Sequence, residues 1–215
     1  MRKAEGMTPP NASRVRRGCA TAAMVLVVAY AVIDLVLQAL PPHYSAVTDA
    51  ESDLAVGPFG WAMQVNFAAR AVMSGCLVAA VALAAGPSRR RWAGSLLLAV
   101  AGLCSAALVF FPTDVNRAGE FGMTPRTPTG VVHVVFATTG FVAVLAAMAL
   151  LTWWTGRSTG LTVFFLLAVV GLLLLALSLA VLPGVVGAAE RICLAGILGW
   201  AFVLGARLRR PNASG

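Results

Sequence analysis

Asp34, Asp53, Arg70, Asp114, His133, Glu190 and Arg191 are the side chains of this sequence best suited to chemistry, and each lies within or beside a long apolar run. Imidazole titrates near neutrality, and carboxylates can orient it or share a cation with it. His133 with Asp53 and Asp114 is therefore a candidate base or ligand set. Nothing around these residues sharpens that chemistry. The sequence holds no H-E-x-x-H, no serine elbow and no Cys/His pair at zinc spacing. The other histidine, His43, falls in a connector. A histidine that caps or bridges loops is the preferred expectation for His133. No metal and no cofactor are expected, and whether the cluster is catalytic or structural stays open.

Charges inside an apolar span are costly and usually have a partner. Asp34 lies about 9 Å from the end of the first run and Arg70 about 13 Å into the second, at 1.5 Å per residue. Similar depth and opposite sign predict an intramembrane ion pair between Asp34 and Arg70, with Glu190 as the alternative partner of Arg70. Asn66, Arg70 and Ser74 recur every fourth residue, which puts them on one helix face, turned toward the bundle interior or a wet pocket. Fixing helix register is the preferred role for such a pair, ahead of substrate or proton handling.

The elements that must position these residues are six apolar runs, residues 18–40, 61–85, 92–111, 130–152, 160–182 and 189–206. A bilayer core is about 30 Å thick, and a helix crosses it in roughly 20 apolar residues. Backbone groups have no water partner there, so the spans must be helices; the alternating strands of a barrel are absent. The fold class is all-α, a polytopic membrane protein with six transmembrane helices. The chain is 60% hydrophobic and 11% charged, which leaves no room for a separate soluble domain. The expected organisation is a disordered basic tail over residues 1–17, a six-helix domain over 18–208 and a short tail over 209–215.

The net charge is +8, but the basic residues are not arranged as a nucleic-acid surface, which would interleave them with aromatics. Twelve lie in the two tails and the second and fourth connectors, against only Arg117 and Arg126 in the other connectors. The positive-inside rule then places both termini in the cytoplasm, with anionic lipids as contacts on that face. Asp49, Glu51, Asp53, Asp114 and Glu120 gather on the outer face. Cys19, Cys76, Cys104 and Cys193 sit in or at the edge of spans, as small packing residues rather than an exported disulfide. The first run is longer than a signal h-region and Leu40-Pro41-Pro42 is a poor cleavage site, so it is taken as a span. The Asn11 and Asn212 sequons fall on the inner side, where they are inert.

Ser52-Asp53-Leu54-Ala55-Val56-Gly57-Pro58-Phe59-Gly60-Trp61, then Asn66-Phe67, Phe111-Pro112-Thr113-Asp114, Gly130-Val131-Val132-His133, Glu190-Arg191 and Trp200 follow one another in a particular order. That order resembles the bacterial six-span family catalogued as a domain of unknown function, DUF nine-nine-eight, over roughly residues 20–208. The resemblance implies a six-helix integral membrane protein and no particular activity. It singles out Asp53, Asp114, His133 and Arg191 as pattern positions; Asp34 and Arg70 fall outside it.

Three functions compete. A lipid-interacting or accessory component of the cell membrane, with a polar cluster on its outer side, ranks first. An intramembrane enzyme acting on a lipid or envelope substrate at the outer leaflet ranks second, and a small transporter third. Polar residues gathered at one end, with uncharged third and fifth spans, count against a continuous path for a carrier.

Overall fold

The computed structural model describes residues 10–40, 44–84, 86, 88–115, 124–156 and 158–210. His43, Arg117, Glu120, Arg157 and Asn212 lie outside the described residues. Six helices form, each long and apolar enough to cross a membrane: α1 Pro10–Ala39, α2 Gly60–Ala82, α3 Arg89–Leu108, α4 Pro128–Trp154, α5 Thr159–Val181 and α6 Val186–Arg209. Five agree with the apolar runs to within a few residues. The first differs, because α1 begins at Pro10 and carries Arg14, Arg16 and Arg17 as helix rather than tail. At 30 residues it is about 45 Å long, so its basic first turns project beyond an apolar core about 30 Å thick. Arg16 is held there by a hydrogen bond to the Arg210 carbonyl oxygen, 3.3 Å.

Neighbours in the bundle run α4, α3, α2, α1, α6, α5, and α4 and α5 hardly touch although they are successive in sequence. The helices are therefore a ring with one loose joint. The end of the bundle that carries both termini is closed by an apolar core including Ala20, Leu77, Met148, Leu151, Trp200 and Leu204. Trp200, fully buried, donates its indole N–H to Thr152 Oγ1 at 2.9 Å, so α6 is tied to α4 there without an unpaired polar atom. Arg207 adds a bond to the Thr155 carbonyl oxygen at 3.0 Å.

Small residues set the closest approach of helices in a membrane. A Cβ on Gly171 would sit 2.2 Å from the Cys193 backbone nitrogen, and one on Gly196 would sit 2.4 Å from that of Ala168. The α5–α6 seam is thus backbone against backbone. Large apolar side chains point the other way, with Leu103, Phe110 and Leu173 exposed where lipid tails would cover them. The other end of the bundle, formed by the first, third and fifth connectors, carries the polar residues.

Candidate functional site

The first connector folds back over its end of the bundle. Ser45 Oγ accepts the Thr48 N–H, and Asp49 Oδ2 accepts the Ser45 N–H at 2.8 Å; these side chains close a turn on their own backbone. A 3-10 turn follows over Glu51–Ala55 and buries Glu51 and Leu54. Arg191, one turn into α6, clamps this connector. Its Nη1 donates to the carbonyl oxygens of Ala46 at 2.9 Å and Asp49 at 3.2 Å, as well as to its own Gly187 at 3.0 Å. Its Nη2 donates to the Tyr44 hydroxyl, and the guanidinium lies 5.4 Å from the centroid of the Tyr44 ring. Gly187 permits the contact, since a Cβ there would fall 2.2 Å from the Asp49 carbonyl oxygen.

Glu51 is the hub. Its backbone N–H donates to Glu190 Oε2 at 2.7 Å, and its own Oε1 accepts the Tyr30 hydroxyl at 2.8 Å. Asn66 braces Tyr30 by donating to its carbonyl oxygen at 3.2 Å. Burial, then the neighbouring carboxylates of Asp34 and Glu190, push the Glu51 carboxyl well above the usual carboxylate range. Asp34 Oδ1 is buried and has no hydrogen-bond partner among the described residues.

Between α4 and α5, at the loose joint, lies a cavity of about 240 Å³. Glu51, Ser52, Arg70, His133 and Glu190 line it together with apolar residues such as Val134, Phe141 and Leu175. His133 Nδ1 lies 2.7 Å from the Phe111 carbonyl oxygen, which cannot donate, so Nδ1 is the donor, and in the neutral form of the ring Nε2 is left as an acceptor. Arg70 donates Nε to Ser105 Oγ at 2.7 Å and packs over Phe67, 5.4 Å from the ring centroid.

Of the seven sequence-selected residues, the cavity brings together His133, Glu190 and Arg70. Arg191 clamps the connector just described. The expected pair of Asp34 and Arg70 does not form an ion pair among the described residues. Asp34 accepts from Gln38, one turn along its own helix, at 2.5 Å, while Arg70 turns to α3. Asp114 does not line the cavity; it ties the segment before α4, accepting from the N–H groups of Arg126 at 2.7 Å and Thr127 at 2.8 Å. Those bonds, the Thr127 N–H first, hold its carboxyl below the usual range. Asp53 stays on the 3-10 turn, also outside the cavity. Tyr30 and Glu51 are members that the sequence did not single out. The spacing of Tyr30 and Asp34, i and i+4 on one face of α1, was the available signal. Among the described residues no three His, Cys, Asp or Glu are placed to hold a metal ion.

Burial raises the Asp53 carboxyl from 3.8 to about 7. A raised folded-state value means that this group's contribution is complete below pH 3.8 and is lost as pH climbs to about 7. Asp53→Asn is therefore expected to gain thermal stability over the parent at pH 8, by roughly 2–4 °C for each kcal/mol recovered. The gain should shrink at pH 5 and vanish near pH 4, as read by unfolding scans in detergent at those values.

No curated protein and no solved structure matches the chain. The family described as "Protein of unknown function (DUF998)" matches residues 22–207. Six membrane-length helices and that match over most of the sequence lead to one statement of kinship: the chain belongs to the DUF998 family.

Proposed function

We propose that this integral membrane protein is a lipid-interacting component whose gap between α4 and α5 admits an amphiphile. The observation that carries this is the cavity itself, polar where Glu51, Arg70, His133 and Glu190 meet and apolar along the facing sides of α4 and α5. Ligand sites for drug-sized molecules span about 300–1,000 Å³. A cavity of about 240 Å³ suits a headgroup and the start of its chains, with the tails lying in the gap among surrounding lipid. By the positive-inside rule this polar end belongs to the non-cytoplasmic leaflet of the cell membrane, and the arginines at the opposite end contact anionic lipids.

Ala137 lines the cavity, and Ala137→Phe would fill it from the α4 side. Protein extracted in mild detergent should carry lipid detectable by native mass spectrometry, and Ala137→Phe should lower that occupancy about tenfold, the equivalent of 1.4 kcal/mol. Helix content should be unchanged. Equal lipid retention by the filled variant would remove the proposal.

One observation favours a second reading, an enzyme acting on the bound lipid. His133 offers Nε2 to the cavity with its other nitrogen fixed by a carbonyl, the arrangement that a general base requires. A lipid product formed by the parent protein and missing with His133→Ala would mark that reading as the better one.

A further inference from the structure

Resting on the amphiphile-binding reading above, we infer that the headgroup seated in the cavity is a zwitterionic, amine-bearing phosphodiester, of the phosphatidylethanolamine class. The polar end of the cavity carries both signs of charge, Arg70 with Glu51 and Glu190, which act on each other electrostatically without closing an ion pair among the described residues. Arg70 forms no ion pair among the described residues; its Nε is fixed by Ser105 and its ring contact is Phe67. The rest of the fork, two terminal nitrogens with four N–H bonds, is left for an anion. A guanidinium so oriented matches two oxygens of a phosphate.

The acceptors form the second half of the site. Glu190 is 5% exposed and His133 3% exposed, yet both line the cavity. Glu190 gives Oε2 to the Glu51 N–H, and Oε1 has no donor among the described residues. His133 Nε2 is likewise an acceptor without a donor once Nδ1 is committed to Phe111. Both residues line the cavity, and a ligand that supplies N–H donors there gains charge-assisted hydrogen bonds. A primary ammonium has three N–H donors and a positive charge, which suits one carboxylate oxygen and one imidazole lone pair. A trimethylammonium has no N–H to give. A glycerol headgroup has hydroxyl donors but brings a net negative charge beside two carboxyl side chains. The phosphodiester of all three suits Arg70, so the amine is where they are told apart.

The experiment is competition in nanodiscs or mixed micelles, with phosphatidylethanolamine, phosphatidylcholine and phosphatidylglycerol of identical chains, read by native mass spectrometry of the retained lipid. The unaltered protein should retain the ethanolamine lipid about tenfold over each of the others, the discrimination expected of one charge-assisted hydrogen bond made or missing. Glu190→Gln keeps an acceptor for the Glu51 N–H but loses the charge, and should bring the three lipids to within about threefold of one another. Arg70→Met should lower retention of all three alike. Lipid retained without headgroup preference, or with the glycerol lipid preferred, overturns the inference while leaving the amphiphile cavity standing. Retention that Ala137→Phe does not reduce overturns the cavity itself. Because the preference is read on the unaltered protein, a variant that fails to fold does not shield the inference.

Discussion

Arg191→Ala is expected to be the most damaging single truncation at the connector end, lowering stability by about 3–5 kcal/mol, since it removes several hydrogen bonds to a charged group at about 1.5–3 kcal/mol each. The guanidinium holds the carbonyl oxygens of Ala46 and Asp49 and the Tyr44 hydroxyl at once, and no other described side chain reaches all three. Its loss leaves those acceptors in a water-poor setting and frees the backbone that carries Glu51. Unfolding in detergent should shift down by roughly 10 °C, taking about 2–4 °C per kcal/mol for a chain of this size. Lysine restores the charge but not the fork, so Arg191→Lys should recover only part of the shift. A midpoint for Arg191→Ala within about 2 °C of the parent would show that the clamp is ornamental.

The second large effect comes from adding one methyl group. Glycine-to-alanine changes inside helices normally stabilise by about 0.5–1 kcal/mol, because alanine is the better helix former. Gly171→Ala should do the reverse. The new Cβ would meet Cys193 backbone atoms at 2.2 and 2.5 Å, and backbone cannot rotate away as a side chain would. Overpacking of this kind costs about 1–3 kcal/mol, and the rigid partner places Gly171→Ala at the upper end. Gly75→Ala on α2, where nothing lies within 4 Å of the added carbon, is the matched control and should be neutral or mildly stabilising. Thermal unfolding of the two variants side by side decides it: equal behaviour would mean that the α5–α6 seam is looser than described.

Hydropathy alone located all six helices, since the bilayer length requirement is one-dimensional and needs no knowledge of partners. Helical periodicity also placed Asn66, Arg70 and Ser74 on one inward face, and Arg70 does reach the cavity. The failures have a geometric cause. Glu51 and Asp53 are two residues apart in one acidic stretch, and with about three residues per turn a 3-10 segment sends them to different sides. Only Glu51 turns into the bundle, and no composition signal distinguishes it from its neighbour. Glu190 and Arg191 are adjacent, but on an α-helix adjacent side chains diverge by about 100°. Both hold the first connector, Glu190 through the Glu51 N–H and Arg191 through the Ala46 and Asp49 carbonyl oxygens, but only Glu190 also lines the cavity. Asp34 and Arg70 match in depth and sign, but depth says nothing of azimuth around the bundle, and Gln38 and Ser105 lay closer to hand.

The bond between the Glu51 backbone and Glu190 joins positions 139 residues apart. A ribosome adding about 5–20 residues per second delivers the second partner roughly 7–28 s after the first. For that interval the nascent first hairpin carries its acids and its folded-back connector with neither Glu190 nor the Arg191 clamp to receive them. The last helix to emerge is thus the keystone, and a chain halted after five spans would be a vault left open at its crown, exposed to quality control until the sixth arrives.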